Sequence, residues 1–139
     1  MLNSKHVKDF DSWNMRKKSL QESEDKNILF RIGEIWWCSL GVNLGDEEDG
    51  KHSNFERPML IFKKFNKDFS FAIPLTSNQV ENKYRRGFVY SSDDETLKNG
   101  QVIVSQARPI STKRLLRKLG KVSYEEYGKI KSYVKEILG

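Results

Sequence analysis

Apolar residues recur along this chain in two spacings. Near its end Tyr127, Ile130, Val134, Ile137 and Leu138 fall on one side of a 3.6-residue repeat. Ser123-Tyr124-Glu125-Glu126 precedes them as a capping box, with a hydroxyl and a carboxylate each placed to satisfy an orphan amide. The pattern predicts a final helix. Upstream the apolar runs are strand-sized. Strands are expected at Glu34 to Leu40, Pro58 to Lys64, Phe69 to Leu75, Arg86 to Tyr90 and Gln101 to Gln106. Asn66 to Asp68 reads as a turn, and Asn99-Gly100 as a tight hairpin turn. Ser111 or Thr112 is a candidate cap for a short helical turn through Leu115, Leu116 and Leu119, closed by Gly120. Strands first and helix last point to a mainly β, α+β fold: a small, strongly curved sheet or barrel with a helix packed on it.

The first residues differ in character. Val7, Phe10, Trp13 or Leu20, and Met15 recur at roughly helical spacing among many charges, so Lys5 to Glu22 reads as a helix, with a polar linker to Asn27. The expected organisation is an N-terminal helical extension and linker over 1–29 and one domain over 30–139. Within that domain, Gly41 to Glu56 is a long loop carrying the acidic run Asp46-Glu47-Glu48-Asp49. Loops of this length in a small domain are usually functional or disordered.

Composition narrows the chemistry. The 139 residues suffice for one cored domain, and no apolar run approaches the roughly 18 residues of a membrane span. Met1 to Phe10 contain no apolar stretch of the signal-peptide kind, so a cytoplasmic protein is expected. One cysteine, Cys38, excludes a disulfide scaffold and a Cys-rich zinc site. It lies in a Trp-rich strand and reads as core. The two histidines are far apart, and neither a metal site nor a cofactor is expected. His52, near Arg57 in the long loop, is a secondary acid–base candidate. There is no Gly-rich phosphate loop ending in Lys-Ser or Lys-Thr, no Gly-x-Ser-x-Gly elbow and no His-Glu-x-x-His.

The net charge is +6, and its distribution matters more than its size. Between Glu95 and Glu125 no acid occurs, while Lys98, Arg108, Lys113, Arg114, Arg117, Lys118 and Lys121 do; Lys83, Arg85 and Arg86 form a second knot. Such clustering is either the footprint of a polyanionic partner or a solvated basic face.

What remains is arginine plus hydroxyl at predicted strand ends: Arg57-Pro58, Pro74-Leu75-Thr76-Ser77 and Gln106-Ala107-Arg108-Pro109-Ile110. Taken in order with Arg31-Ile32-Gly33-Glu34-Ile35-Trp36-Trp37 before them, and with Lys113-Arg114-Leu115 and Gly120-Lys121-Val122-Ser123 after them, these motifs resemble the MazF/PemK family of toxin endoribonucleases. The family's opening strand is matched with one extra residue between arginine and glycine. The resemblance covers about Phe30 to Leu138.

The resemblance implies a small SH3-like barrel of the PemK/MazF/CcdB type with a C-terminal helix, usually a homodimer. It implies metal-independent cleavage of single-stranded RNA by the RNA's own 2′-hydroxyl, and an acidic, partly disordered antitoxin as partner. By position, Arg57 matches the catalytic arginine and Thr76 the catalytic threonine. Ser77, Gln106, Arg108, Lys113 and Arg114 are the candidate RNA contacts, with Phe55 as a base-stacking candidate or a core residue under the loop. Two departures stand out. Ser105 replaces an acid that some members carry before the Gln-x-Arg pair, and Ser111 replaces a common aspartate. The alternative is a same-fold module that binds nucleic acid or protein without cutting. The gyrase-poison branch ends in Trp-Gly-Ile, whereas this chain ends Glu136-Ile137-Leu138-Gly139.

Overall fold

The computed structural model describes residues 28–40 and 56–139. The expected N-terminal helix and linker lie outside them, as do His52, Phe55 and the acidic run. The described strands are β1 (Glu34–Ser39), β2 (Glu56–Asn66), β3 (Phe69–Thr76), β4 (Arg85–Ser92), β5 (Leu97–Ile103), β6 (Arg108–Ser111) and β7 (Leu115–Lys121), followed by helix α1 (Tyr124–Leu138). Short 3-10 turns at Val104–Gln106 and Thr112–Arg114 flank β6. Every pairing is antiparallel, in the order β2-β1-β7-β4-β5-β3-β6. Because β2 also pairs with β3, six of the strands form a closed ring.

β1, β2 and β3 are covered on both faces. One face carries Cys38, Met59, Ile61 and Ala72, packed with Phe30, Ile110 and Leu115. The other carries Ile35, Leu60, Ile73 and Leu75, packed with Phe88, Val102 and the helix residues Ile130 and Val134. Two-sided burial explains why Met59-Leu60-Ile61-Phe62 is apolar without alternation, a pattern otherwise typical of parallel sheets. The β2–β3 ladder slips register between Ile61 and Lys63 and again between Lys64 and Asn66. Such bulges add twist, which helps the sheet curl. Cys38 is fully buried, and burial pushes its thiol pKa up. Its role is core.

The final helix forms as its pattern predicts. The Ser123 hydroxyl accepts from the Glu126 amide at 3.1 Å, and the Tyr127 hydroxyl donates to the Phe62 carbonyl at 2.8 Å. Ile130 and Val134 are buried, but Leu138 is exposed beyond the stripe.

Three expectations are corrected. The stretch Leu115 to Gly120 is not helical: a 3-10 turn at Thr112–Arg114, capped by Ser111, leads into strand β7. Gly120 closes no helix. A Cβ there would lie 2.2 Å from the Ser91 carbonyl oxygen, so its missing side chain lets β7 approach β4. Asn99-Gly100 lies inside β5 and is not a turn. The reversal comes earlier, where the Asp94 carboxylate accepts from the Thr96 amide and the Ser92 hydroxyl, and Glu95 takes φ 65°. Those bonds hold the Asp94 pKa down at about 2. Asx-type turn chemistry therefore outcompetes the Asn-Gly dipeptide. Finally, the strand from Gln101 stops at Ile103, and Val104–Gln106 is a 3-10 turn.

At the other end of β1, Glu34 gathers Arg31, Trp36 and Lys118. Its carboxylate accepts from the Arg31 amide at 2.8 Å and the Trp36 indole at 3.1 Å, and pairs with Lys118 at 3.1 Å. Burial raises the Glu34 pKa, but the three donors together outweigh it and the net shift is downward. A carboxylate with a depressed folded pKa stabilises the fold above its unfolded pKa. It loses that contribution as pH falls through the folded value. Glu34→Gln is therefore expected to lower the melting temperature at neutral pH, with the gap to the parent closing below the ordinary carboxylate range. Gly120→Ala is expected to cost about 2 kcal/mol or more, read by urea unfolding, because backbone atoms must move apart.

Candidate functional site

β2 begins and β3 ends at one edge of the ring. Met59 stands opposite Pro74 and Leu60 opposite Ile73. The β2–β3 ladder ends at Met59 and Pro74, but the same register carried two residues further sets Arg57 level with Thr76, while the two residues pair with Cys38 and Gln101 on their other sides. Proline is tolerated inside β3 because the strand's second partner changes there. β6 pairs as far as Ala72 and β5 pairs from Leu75, so Pro74 falls in the gap.

Arg57 is only 3% exposed, and its Nη1 donates to the Leu75 carbonyl oxygen at 3.1 Å. Thr76, 6% exposed, accepts from the Asn78 amide at 3.2 Å. A hydroxyl has one donor and two acceptor sites, so this bond leaves the Thr76 O–H able to donate. Arg57 and Thr76 are thus brought together, the cation through the carbonyl that immediately precedes the threonine.

The other candidates distribute unevenly. Ser77 is exposed and follows Thr76 out of the strand. Gln106 lies in the 3-10 turn after β5, and Arg108 stands opposite Ala72. Ala72 is about 13 Å along β3 from Thr76 at the usual rise. Lys113 is in the turn before β7, where its amide donates to the Ser111 hydroxyl at 3.2 Å. Arg114 donates from Nη1 to the Ser39 carbonyl at 3.0 Å. Desolvation chiefly, and the nearby charge of Arg108 secondarily, lower the Arg114 pKa. Arg114 therefore has a structural duty linking the turn before β7 to the end of β1, and it shares its surroundings with a second guanidinium. Ser105 is exposed. Phe55 and His52 lie outside the described residues.

Two features at this edge were not singled out from the sequence. Gln101, opposite Thr76 in the β3–β5 ladder, is buried. Its amide bonds the Val80 backbone both ways, accepting from the amide at 3.2 Å and donating to the carbonyl at 3.1 Å. The signal available was a polar residue opening the apolar run Val102-Ile103-Val104. The second feature is Glu56, next to Arg57 but on the opposite face. Arg117 reaches it with two bonds of 3.0 and 2.8 Å. The Arg117 guanidinium also lies 5.1 Å over the Trp37 ring. The hydrogen bonds to Glu56 raise the Arg117 pKa. Only the ladder, with Trp37 opposite Arg117 and Ser39 opposite Glu56, reveals that pair.

A search of curated proteins finds no match. Among solved structures, MazF from Deinococcus radiodurans is similar at TM-score 0.61 and 17% identity, covering 81% of this chain and 99% of that one. An endoribonuclease in complex with its cognate antitoxin, from a Mycobacterial species, is similar at TM-score 0.55 and 18% identity, covering 80% of this chain and 96% of that one. A MazE–MazF complex from Deinococcus radiodurans is similar at TM-score 0.57 and 14% identity, covering 81% and 98%. These likenesses establish the shared fold: an antiparallel, mainly β sheet with a C-terminal helix. A family pattern described as PemK-like, MazF-like toxin of type II toxin–antitoxin systems matches residues 31–138. With the match spanning nearly all of the described sheet and helix, the chain belongs to the PemK-like, MazF-like toxin family of type II toxin–antitoxin systems.

Proposed function

We propose that the chain is a metal-independent, sequence-selective endoribonuclease that cuts single-stranded mRNA. The observation that carries this reading is Arg57 donating to the Leu75 carbonyl, one residue before Thr76, in a chain of this family. The closed ring of six strands supports taking the sheet as a small SH3-like barrel of the PemK/MazF/CcdB type.

In the proposed reaction the 2′-hydroxyl oxygen bonds to the adjacent phosphorus and the bond from phosphorus to the 5′ oxygen breaks. The 2′ proton leaves and the 5′ oxygen takes one up. The products are a 2′,3′-cyclic phosphate and a 5′-hydroxyl. Charge builds on the non-bridging oxygens, and Arg57 is the group placed to meet it. Its guanidinium geometry suits two oxygens, and its high intrinsic basicity argues for charge stabilisation over proton donation. The Thr76 O–H donates to the same phosphate or orients the 2′-hydroxyl. A preorganised donor at such a site contributes about 3 kcal/mol. Arg108 and Arg114 supply further positive charge for the RNA backbone in this reading. Ser77, Gln106 and Lys113 complete the proposed RNA contacts, with Phe55 for base stacking.

The same reading assigns the chain a homodimeric state, a cytoplasmic location and an acidic, partly disordered antitoxin partner. It also takes residues 1–29 as an appendage to a toxin domain over 30–139. One observation favours the alternative of a non-cutting binder: the burial of Arg57.

Purified protein and a long single-stranded RNA in excess EDTA separate the two. Discrete fragments with cyclic phosphate and 5′-hydroxyl ends are expected. Arg57→Ala should lower the rate at least about 100-fold without loss of fold, and Thr76→Ala should cost less. Full activity in Arg57→Ala sinks the assignment; an RNA that shifts in a gel but stays intact favours the binder. Lys113→Ala is expected to weaken RNA binding across sequences and to reduce the slope of log affinity against log salt by about 1. Arg114→Ala should do the same and also lower stability, since it removes the bond to Ser39.

A further inference from the structure

We propose that the cleft beside Thr76 is the subsite for one unpaired nucleotide flanking the cut, and that Gln101 is the positioning residue that fixes its wall. This rests on the ribonuclease reading above. The cleft has a volume of about 620 Å³ and runs from Ser77 and Gln79 across Gly87 and Asn99 to Arg86 and Lys129. That volume is within the roughly 300–1,000 Å³ of sites that take a small organic ligand. Its lining begins at Ser77, the residue that follows Thr76, and includes Gly100, the neighbour of Gln101 that pairs with Thr76, so a chain whose phosphate sits at Thr76 has the cleft within reach of its next nucleotide.

The chemistry of the lining favours a base on an anionic backbone. Gln79 and Asn99 are exposed amides, each able to donate and accept, as the edge of an unstacked base requires. The cations Arg86 and Lys129 stand at the rim. Arg86 is held 5.6 Å over the Tyr133 ring, and Tyr133 donates its hydroxyl proton to the Lys83 carbonyl. The basic knot at 83–86 is thereby pinned against α1. The one anion in the lining, Glu126, lies 3.8 Å from Lys129. An acidic peptide would need cations along the whole cleft, where the structure offers neutral amides and glycine.

Gly100 and Gly87 keep the floor low. A Cβ at 100 would touch the Thr76 carbonyl oxygen and the Phe88 ring, each at 3.4 Å. A Cβ at 87 would meet only ordinary contacts, 3.9 Å from Gln79 Oε1. A side chain at 87 thus intrudes on the cleft without forcing the strands apart.

Gln101 makes the wall rigid. It stands opposite Thr76, and its amide holds both backbone groups of Val80. The segment from Ser77 to Val80 is therefore anchored at one end by the Asn78 amide on Thr76 and at the other by Gln101. A wall fixed to the strand that bears Thr76 keeps the base-reading amide of Gln79 in register with the phosphate.

The test is the cut-site profile on a random single-stranded RNA pool, read by sequencing fragment ends. Asn99→Ala and Gln101→Leu should each lose about tenfold of the base discrimination at one position flanking the cut, with the remaining positions unmoved. Gly87→Val should raise KM for the preferred site. A structural defect alone slows all sites equally and leaves the profile intact, so a uniform slowing in Gln101→Leu overturns its positioning role. Asn99 and Gly87 are exposed, which keeps the cleft testable even where Gln101→Leu does not fold. Asn99→Ala and Gly87→Val profiles that superimpose on the parent overturn the subsite. The same superposition with lost inhibition by poly-glutamate assigns the cleft to an acidic protein partner instead. Absence of any cleavage by the parent chain overturns the ribonuclease reading, and the subsite with it.

Discussion

The ladder between β2 and β3 is the constraint on which the rest depends. It closes the ring of strands, and it does so with residues buried on both faces. A strand buried on two sides admits no polar side chain along its middle. Polar groups are therefore pushed to its ends, where the apolar layers stop. Arg57 and Thr76 occupy such an end. Their proximity follows from the register that seats Met59 on Pro74. A slip of one residue would turn Arg57 to the opposite face and set Met59 and Ile61 against the wrong layer, so packing guards the geometry of the candidate site.

The same period-two rule separates two charges adjacent in sequence. Arg57 shares a face with Met59 and Ile61, and Glu56 shares the other with Leu60. Each charge finds a different solution to burial. The cation takes a carbonyl from the neighbouring strand, while the anion takes a bidentate guanidinium from β7. A buried charge with its partner removed is costly, so both arrangements constrain the opening of β2 as well as populating it. The result is a strand end held from both sides beside a loop end held by Gln101.

Parts of this organisation were legible in the sequence. The capping box and the Tyr127–Val134 stripe predicted the last helix because helix signals are local: a hydroxyl, a carboxylate three residues on, and a repeat of 3.6. β1 to β4 were legible for a similar reason, their apolar content being dense and their ends marked by Gly, Pro and Asn. Arg57 and Thr76 were legible as motif residues. Leu115 to Gly120 was not, because three leucines spaced among cations fit a helical face as well as a partly buried strand paired with β1 and β4. Asn99-Gly100 misled because glycine serves two purposes, tight turns and close approach, and the second depends on a neighbour invisible in the local sequence.

The amino-acid sequence by itself determined which segments are apolar enough to enter a core, where the last helix starts, and which short motifs the chain shares with its family. Tertiary structure alone decided that Gln101 faces Thr76, that Arg117 reaches Glu56, that Arg114 holds Ser39, and that Arg108 stands opposite Ala72. The physical reason is distance along the chain. Capping and periodicity act over a few residues, whereas these contacts join positions that only strand register and sheet closure bring together.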